Sequence, residues 1–210
     1  MKIISWNLLY RRGAAAADVA KLIEQEKPDL FLLQEAVSGI NKLPGIVGGD
    51  FYTLPWKGKT YALGAWLARG EMQTDSLELP FSKVPGKFPP RQAQILKFSK
   101  FSIVNVHLSH GQLLNRRQIR HIGKSISGPV AIIGDFNAVG PIILKGFKDV
   151  GPRRITHMAK KLMPFRLDRV LVRDLAWSGA KTLKRGPSDH RPIIINIDSE
   201  IKPLVASKLS

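Results

Sequence analysis

Pro129-Val130-Ala131-Ile132-Ile133-Gly134-Asp135-Phe136-Asn137 is the stretch on which the fold turns. Its apolar run is too short for a buried helix and is rich in β-branched residues, so it reads as a strand covered on both faces. Such a strand needs a layered domain in which helices or a second sheet cover it from either side. The run ends in Asp-Phe-Asn, which places oxygen donors where a buried strand meets solvent.

Working outward, Ile119, Ile122 and Ile126 mark the buried face of a helix over 113–127, and Ala93–Phe98 and Phe101–Leu108 form two strands joined by a tight turn. Downstream, Leu167–Val172 and Pro192–Ile197 are the last two strand candidates. In the N-terminal half, Lys2–Trp6 is a strand that stops at Asn7. A helix over 14–26 carries Ala15, Val19, Leu22 and Ile23 on one face and is closed by Pro28. Asp29–Glu35 is a second short buried strand, and Tyr61–Ala68 and Asp75–Phe81 read as strands of a meander. Residues 39–60 and Pro85–Pro90 are rich in Gly and Pro and read as loops, Gly48-Gly49 as a turn. No internal repeat interrupts the pattern. The expectation is one α/β domain over 1–200 with a tail at 201–210.

Composition narrows the chemistry. The 210 residues contain no cysteine, which excludes a disulfide scaffold, a Cys-ligated zinc or iron–sulfur site and a thiol nucleophile. No apolar stretch reaches the ~20 residues of a membrane span. The first residues turn polar too early for a signal peptide, so a cytoplasmic protein is expected. The formal charge is +17. Residues 1–105 hold 14 basic and 9 acidic residues; residues 106–210 hold 19 and 7. A balance so far from neutral points to a polyanionic partner.

The strand candidates repeatedly end beside a residue able to bind metal or phosphate: Asn7, Glu35, His107, Asp135 with Asn137, Asp168, and Asp189 with His190. Each has an ordinary explanation alone. Asp-Phe-Asn makes Asx turns, Ser188-Asp189-His190 can cap, His107 can be a satisfied core residue, and Asp168 can pair with Arg166 or Arg169. Strand ends of a layered sheet collect on one edge, however, and six such ends in one chain point to one site.

The series Trp6-Asn7, Leu33-Gln34-Glu35, Asn105-Val106-His107-Leu108, Gly134-Asp135-Phe136-Asn137-Ala138, Arg166-Leu167-Asp168-Arg169-Val170 and Ser188-Asp189-His190-Arg191-Pro192 resembles the endonuclease/exonuclease/phosphatase family from residue 2 to about 197. The resemblance implies a four-layer α/β sandwich, two mixed β-sheets packed face to face and flanked by helices. It implies Mg²⁺ or Mn²⁺ at Glu35, with Asn7 beside it and Asp189 nearby. Asp135 matches the residue that positions or deprotonates the attacking water, and Asn137 the amide that steadies it. His190 matches the imidazole on a non-bridging phosphate oxygen, Asp168 the carboxylate that orients it, and His107 a donor to the scissile phosphate. Whether Asp or His is the base stays open at this level.

Oxygen donors suit such hard cations, and with no Cys and few clustered His a zinc site is disfavoured. Ala36-Val37 replaces the Thr-Lys that follows the Glu in abasic-site endonucleases, and Leu9 replaces their acidic residue. No amphipathic anchor for a bilayer is visible. The basic residues favour a nuclease: Arg116, Arg120 and Lys124 form a ladder on one helix, Arg11-Arg12 follow Asn7, and Arg91 precedes a strand. Arg153-Arg154, Lys160-Lys161 and Lys184-Arg185 lie between motif strands. Arg12 and Arg91 are the expected substrate-phosphate contacts. The partner expected is nucleic acid, DNA before RNA, cut by a monomer with little sequence preference; a phosphatase, a lipid phosphodiesterase and an abasic-site endonuclease or 3′ exonuclease are the alternatives. Core packing is the expected use of Phe51, Tyr52, Trp56 and Trp66 over base stacking. His110 shares a His-x-x-His spacing with His107 that on one strand would face opposite sides, and His121 and His157 have no motif support.

Overall fold

The computed structural model describes residues 1–198 apart from 12, 57, 83–88 and 160–161. Arg12, Lys160-Lys161, most of the Pro85–Pro90 loop and the tail 201–210 lie outside the described residues.

The chain runs β1 (Lys2–Asn7), α1 (Ala16–Glu26) and β2 (Leu30–Val37). A 3₁₀ turn (Ser38–Lys42) and α2 (Leu43–Val47) lead into β3 (Asp50–Pro55), β4 (Tyr61–Leu67) and β5 (Gln73–Glu78). Next come β6 (Gln92–Lys97), β7 (Ser102–His107), α3 (Gln112–Ser125) and β8 (Val130–Asp135). The last strands are β9 (Lys148–Asp149), β10 (His157–Ala159), β11 (Met163–Phe165), β12 (Asp168–Arg173), β13 (Ala176–Thr182) and β14 (Ile193–Asp198).

Two six-stranded mixed sheets result, ordered β13-β14-β1-β2-β4-β3 and β5-β6-β7-β8-β12-β9, with β10-β11 as a separate hairpin. Each sheet is built around one parallel pair joined through a helix, β1 and β2 through α1, β7 and β8 through α3. Side chains alternate to opposite faces along a strand, and the sequence uses both faces. Leu30 and Leu32 pack between the sheets with Ile103, Ala131 and Ile133. Phe31 and Leu33 instead meet Val19 and Ile23 of α1, and Val104, Val106 and Ile132 meet Ile119 and Ile122 of α3. The layers are therefore helix, sheet, sheet, helix, as the resemblance implies.

One polar cluster crosses the apolar middle. Asn105 donates through Nδ2 to Leu33 O (3.2 Å), Gly64 O (3.0 Å) and Gln94 Oε1 (3.0 Å), and its Oδ1 accepts from Gln34 Nε2 at 2.8 Å. These bonds fix β7 of one sheet against β2 and β4 of the other. Asn105→Ala should therefore cost on the order of 3–5 kcal/mol in urea unfolding, because each buried group left unpaired costs about 1–3 kcal/mol.

Several elements differ from expectation. The segment read as loop over 39–60 holds α2 and the edge strand β3; an edge strand pairs on one side only and its apolar alternation is weak, its six residues running exposed, half-buried, half-buried, exposed, half-buried, exposed. β13 was not anticipated for the same reason: Ala176–Thr182 is largely exposed and bulged against β14. The strand expected at Asp75–Phe81 runs Gln73–Glu78, and the helix expected over 113–127 ends at Ser125 with Ile126 as its extended cap.

Candidate active site

Register gathers the strand-end residues. Asn7 at the end of β1 pairs with Gln34, next to Glu35 of β2; His107 at the end of β7 pairs with Asp135 at the end of β8, and Asp135 pairs in turn with Asp168 at the start of β12. The carboxyl ends of both parallel pairs thus open onto one cleft of about 400 Å³, lined by Asn7, Glu35, His107, Asp135, Asn137 and His190 among others.

Backbone strain concentrates there. Leu9, Glu35 and Asn137 all line the cleft with positive φ, at 58°, 54° and 47°. Non-glycine residues held there cost about 1–3 kcal/mol each and cluster at functional sites. At Glu35 the cause is a bulge: the pairing of β2 with β4 slips between Leu33 and Ala36. The bulge turns the carboxylate into the cleft, where Oε2 accepts the Tyr10 N–H at 3.1 Å and Oε1 lies 3.8 Å from His107 Nε2. Gly134 (φ 141°) precedes Asp135 because a Cβ there would sit 2.1 Å from Val106 O.

Asp135 is buried and almost saturated. Its Oδ1 accepts Asn137 N–H at 2.9 Å; its Oδ2 accepts Asn7 Nδ2 at 3.0 Å and faces His107 Nε2 at 3.5 Å and His190 Nε2 at 3.8 Å. Asn137 also donates to Leu108 O, while Gln112 and Asn115 of α3 donate to its own carbonyl. His190 Nδ1 meets Asp168 Oδ2 at 2.8 Å. Ser188 ties this turn to β1, donating to Asn7 O and accepting the His190 N–H, and Trp6 Nε1 donates to His190 O.

Charge states follow from burial and neighbours. Burial pulls the His190 imidazole down, but the Asp168 and Asp135 carboxylates overcome it and raise the pKa to about 9, so the ring is cationic at neutral pH. Burial, with Arg91 adding to it, drives His107 well below its ordinary value and keeps it neutral. Burial also pushes the Glu35 and Asp135 carboxyls up, each raised further by a neighbouring carboxylate. For Asp189 burial is outweighed by the His157 contact and the His190 charge, and its carboxyl is lowered.

The predicted residues come together with two qualifications. Arg91 is buried, its guanidinium 4.1 Å from the Trp56 ring centroid, with Nε and Nη1 lacking hydrogen-bond partners. It borders a separate pocket of about 370 Å³, while its charge faces Tyr61, Asp135 and Glu35. Asp189 meets His157 Nε2 at 3.3 Å. Asp168 makes no surface pair, since Arg166 and Arg169 both bind Asp149 instead. His110 shares the cleft with His107 because β7 ends at His107 and the alternation stops there. Trp56 and Trp66 are buried, as the packing reading expects, and Phe51 and Tyr52 are half-buried.

Sequence reasoning missed Thr156 and His157. Thr156 Oγ1 accepts the N–H groups of Leu167 and Asp168 at 3.0 Å each and so sets the start of β12. The His157 ring lies 4.4 Å from that of His190, tilted by 48°. Neither carries a local motif, because both contacts are made only when the β10-β11 hairpin folds over the cleft.

The donor set suits a hard divalent cation. Half-buried Glu35 and buried Asp135 are crowded carboxylates without a basic partner within ion-pair distance apart from the neutral His107 and, for Asp135, His190, and Asp168 Oδ1 and Asp189 Oδ1 are buried with nothing to accept from. Among the described residues no helix is long and apolar enough to cross a membrane.

A model of the Endonuclease/Exonuclease/phosphatase family matches residues 4–190. No curated protein sequence compared with the chain matches it significantly. Solved structures share the fold: a functionally unknown conserved protein from Enterococcus faecalis V583 (20% identity, 94% of this chain and 99% of that one, TM-score 0.75); the endonuclease/exonuclease/phosphatase from Bacteroides vulgatus (19%, 94% and 98%, 0.73); and D. rerio TDP2 complexed with single strand DNA product (17%, 94% and 98%, 0.70).

Proposed function

The chain belongs to the endonuclease/exonuclease/phosphatase family, and on that premise we propose that it is a divalent-metal-dependent phosphodiesterase that cuts a nucleic-acid backbone, DNA before RNA. The observation that carries this reading is the His190 ring, bonded to Asp168 at 2.8 Å and lining the same small cleft as Asp135, Asn7 and Glu35.

In this reading Glu35 and Asp189 hold Mg²⁺ or Mn²⁺. The ion, when bound, offsets phosphate charge and favours departure of the leaving oxygen. His190, already protonated, donates from Nε2 to a non-bridging oxygen whose charge grows in the transition state. A ring that carries its proton at neutral pH cannot also take one, so His190 is not the base, and the role is assigned to Asp135 beside it. Burial raises its carboxyl towards the range useful for accepting the proton of the attacking water. Asn7 and Asn137 hold that carboxylate still, and the neutral His107 donates to the phosphate opposite His190. Water attacks phosphorus in line, the P–O bond to the leaving group breaks, and Asp135 keeps the proton.

The +17 charge supports a polyanionic substrate, and the solved complex of D. rerio TDP2 with single strand DNA product makes DNA the first to test. Arg91, buried with unpartnered donors and charged towards Glu35 and Asp135, is assigned to a substrate phosphate; Arg12 keeps the same assignment from its place after Asn7. Supercoiled plasmid should be nicked in Mg²⁺ or Mn²⁺, not in EDTA, with rates that fall as salt rises. No nicking in either metal at any salt, with phosphate released from small phosphomonoesters instead, would replace the nuclease with a phosphatase.

A further inference from the structure

His157 has no part in the proposed hydrolysis, yet it completes a second donor set. One ligand atom from each of His157, Asp189 and His190 lies within 4.8 Å of the other two. His157 Nε2 and Asp189 Oδ2 are 3.3 Å apart. Two atoms bound about 2.0–2.2 Å from one tetrahedral ion are themselves about 3.3–3.5 Å apart, so this edge already has the spacing of a coordination sphere. His190 contributes the matching outer arrangement. Its Nδ1 is held by the Asp168 carboxylate at 2.8 Å, which fixes the ring and leaves Nε2 for a ligand.

A plain His157–Asp189 ion pair explains the 3.3 Å contact but leaves two observations over. Asp189 Oδ1 is buried without a hydrogen-bond partner, and the second imidazole stands 4.4 Å from the first, ring to ring. Two imidazole nitrogens and one carboxylate favour borderline ions over Mg²⁺, whose preference is for oxygen and retained water. The set also differs from the Glu35 side of the cleft, where two carboxylates, those of Glu35 and Asp135, stand beside the imidazole of His107.

We propose that His157, Asp189 and His190 bind a transition-metal ion, Zn²⁺ or Co²⁺, and that its binding shuts off Mg²⁺-supported hydrolysis. Ligation at His190 Nε2 releases the proton of that nitrogen to solvent and occupies the atom that would otherwise touch the phosphate. Asp189 is drawn away from the hard cation in the same event. The binding site stands on its own geometry; its inhibitory effect rests on the hydrolase reading.

Co²⁺ alone, titrated into the metal-free full-length chain, should give visible d–d absorption that saturates and is displaced by Zn²⁺. His157→Phe keeps a ring between His190 and Phe165 but removes the donor. It should weaken Co²⁺ binding at least about tenfold and raise the Zn²⁺ concentration for half-inhibition by a similar factor. His157→Cys, in a chain with no other thiol, should restore binding and add a near-ultraviolet thiolate-to-Co²⁺ band. A Co²⁺ spectrum indifferent to His157→Phe, or one abolished by Glu35→Gln alone, overturns the site. His157-dependent Co²⁺ absorption in a protein that nicks no plasmid would keep the site and remove its inhibitory role together with the hydrolase reading.

Discussion

Asp135→Asn should lower kcat for plasmid or oligonucleotide cleavage by about 10³–10⁴-fold with KM little changed, the loss expected when a positioned general base is removed. The substitution is nearly isosteric, but Asn137 N–H bonds Oδ1 and Asn7 Nδ2 bonds Oδ2, so the one remaining oxygen keeps one of the two bonds and the amide nitrogen faces the other donor. What disappears is the proton acceptor. The carboxyl of Asp135 is raised by burial and by Asp168 and lowered by the His190 charge, so it holds an intermediate basicity that an amide cannot mimic. Asp135 also lies 3.5 Å and 3.8 Å from two imidazoles, and loss of its charge should let His190 release its proton more easily. Single-turnover rates in saturating Mg²⁺ give the comparison, with urea unfolding to confirm that the fold survives. A rate within tenfold of the parent would take the base role from Asp135, and His107, neutral and 3.5 Å away, would be the next residue to test.

How much of this was legible beforehand depends on whether a residue's role is written near it in the chain. The central strands were, because β2 and β8 are buried on both faces and need unbroken apolar runs. The residues that end those runs could be picked out too, and the register brings them to one cleft. β3 and β13 were not, because one-sided pairing leaves the pattern of exposed residues close to that of a loop. The bulge at Glu35 was invisible for a different cause. Leu33-Gln34-Glu35-Ala36 shows no glycine or proline, and the positive φ is imposed by pairing with β4 and by the Tyr10 N–H. Thr156 and His157 belong to a hairpin whose value lies wholly in the residues it folds against. Gln34 and Asn105 sit inside the quoted motifs, but only the packed sheets reveal that they bond each other rather than substrate.

Asp168→Asn should act through His190 and leave a signature that simple damage would not. In the parent, hydrolysis needs the imidazolium, so the rate should hold through neutral pH and fall as pH rises through about 9. Asp168 is the largest influence raising that value, and the burial that opposes it remains in the variant. The His190 pKa should then fall from about 9, with Asp135 and Asp189 still holding it up against burial. At neutral pH the variant is expected to lose about 10²–10⁴-fold in rate, and the alkaline limb of its profile should move to lower pH. Stability should report the same shift with a defined sign. A folded-state pKa above the unfolded one means that the native state binds the extra proton, so the contribution is full below about 6.5 and is lost as pH rises through about 9. The unfolding free-energy gap between parent and Asp168→Asn should therefore be widest near pH 6 and narrow steadily towards pH 10. A gap that stays constant with pH, or an alkaline limb that does not move, would mean that Asp168 serves only to pack the start of β12 and that the charge on His190 has another source.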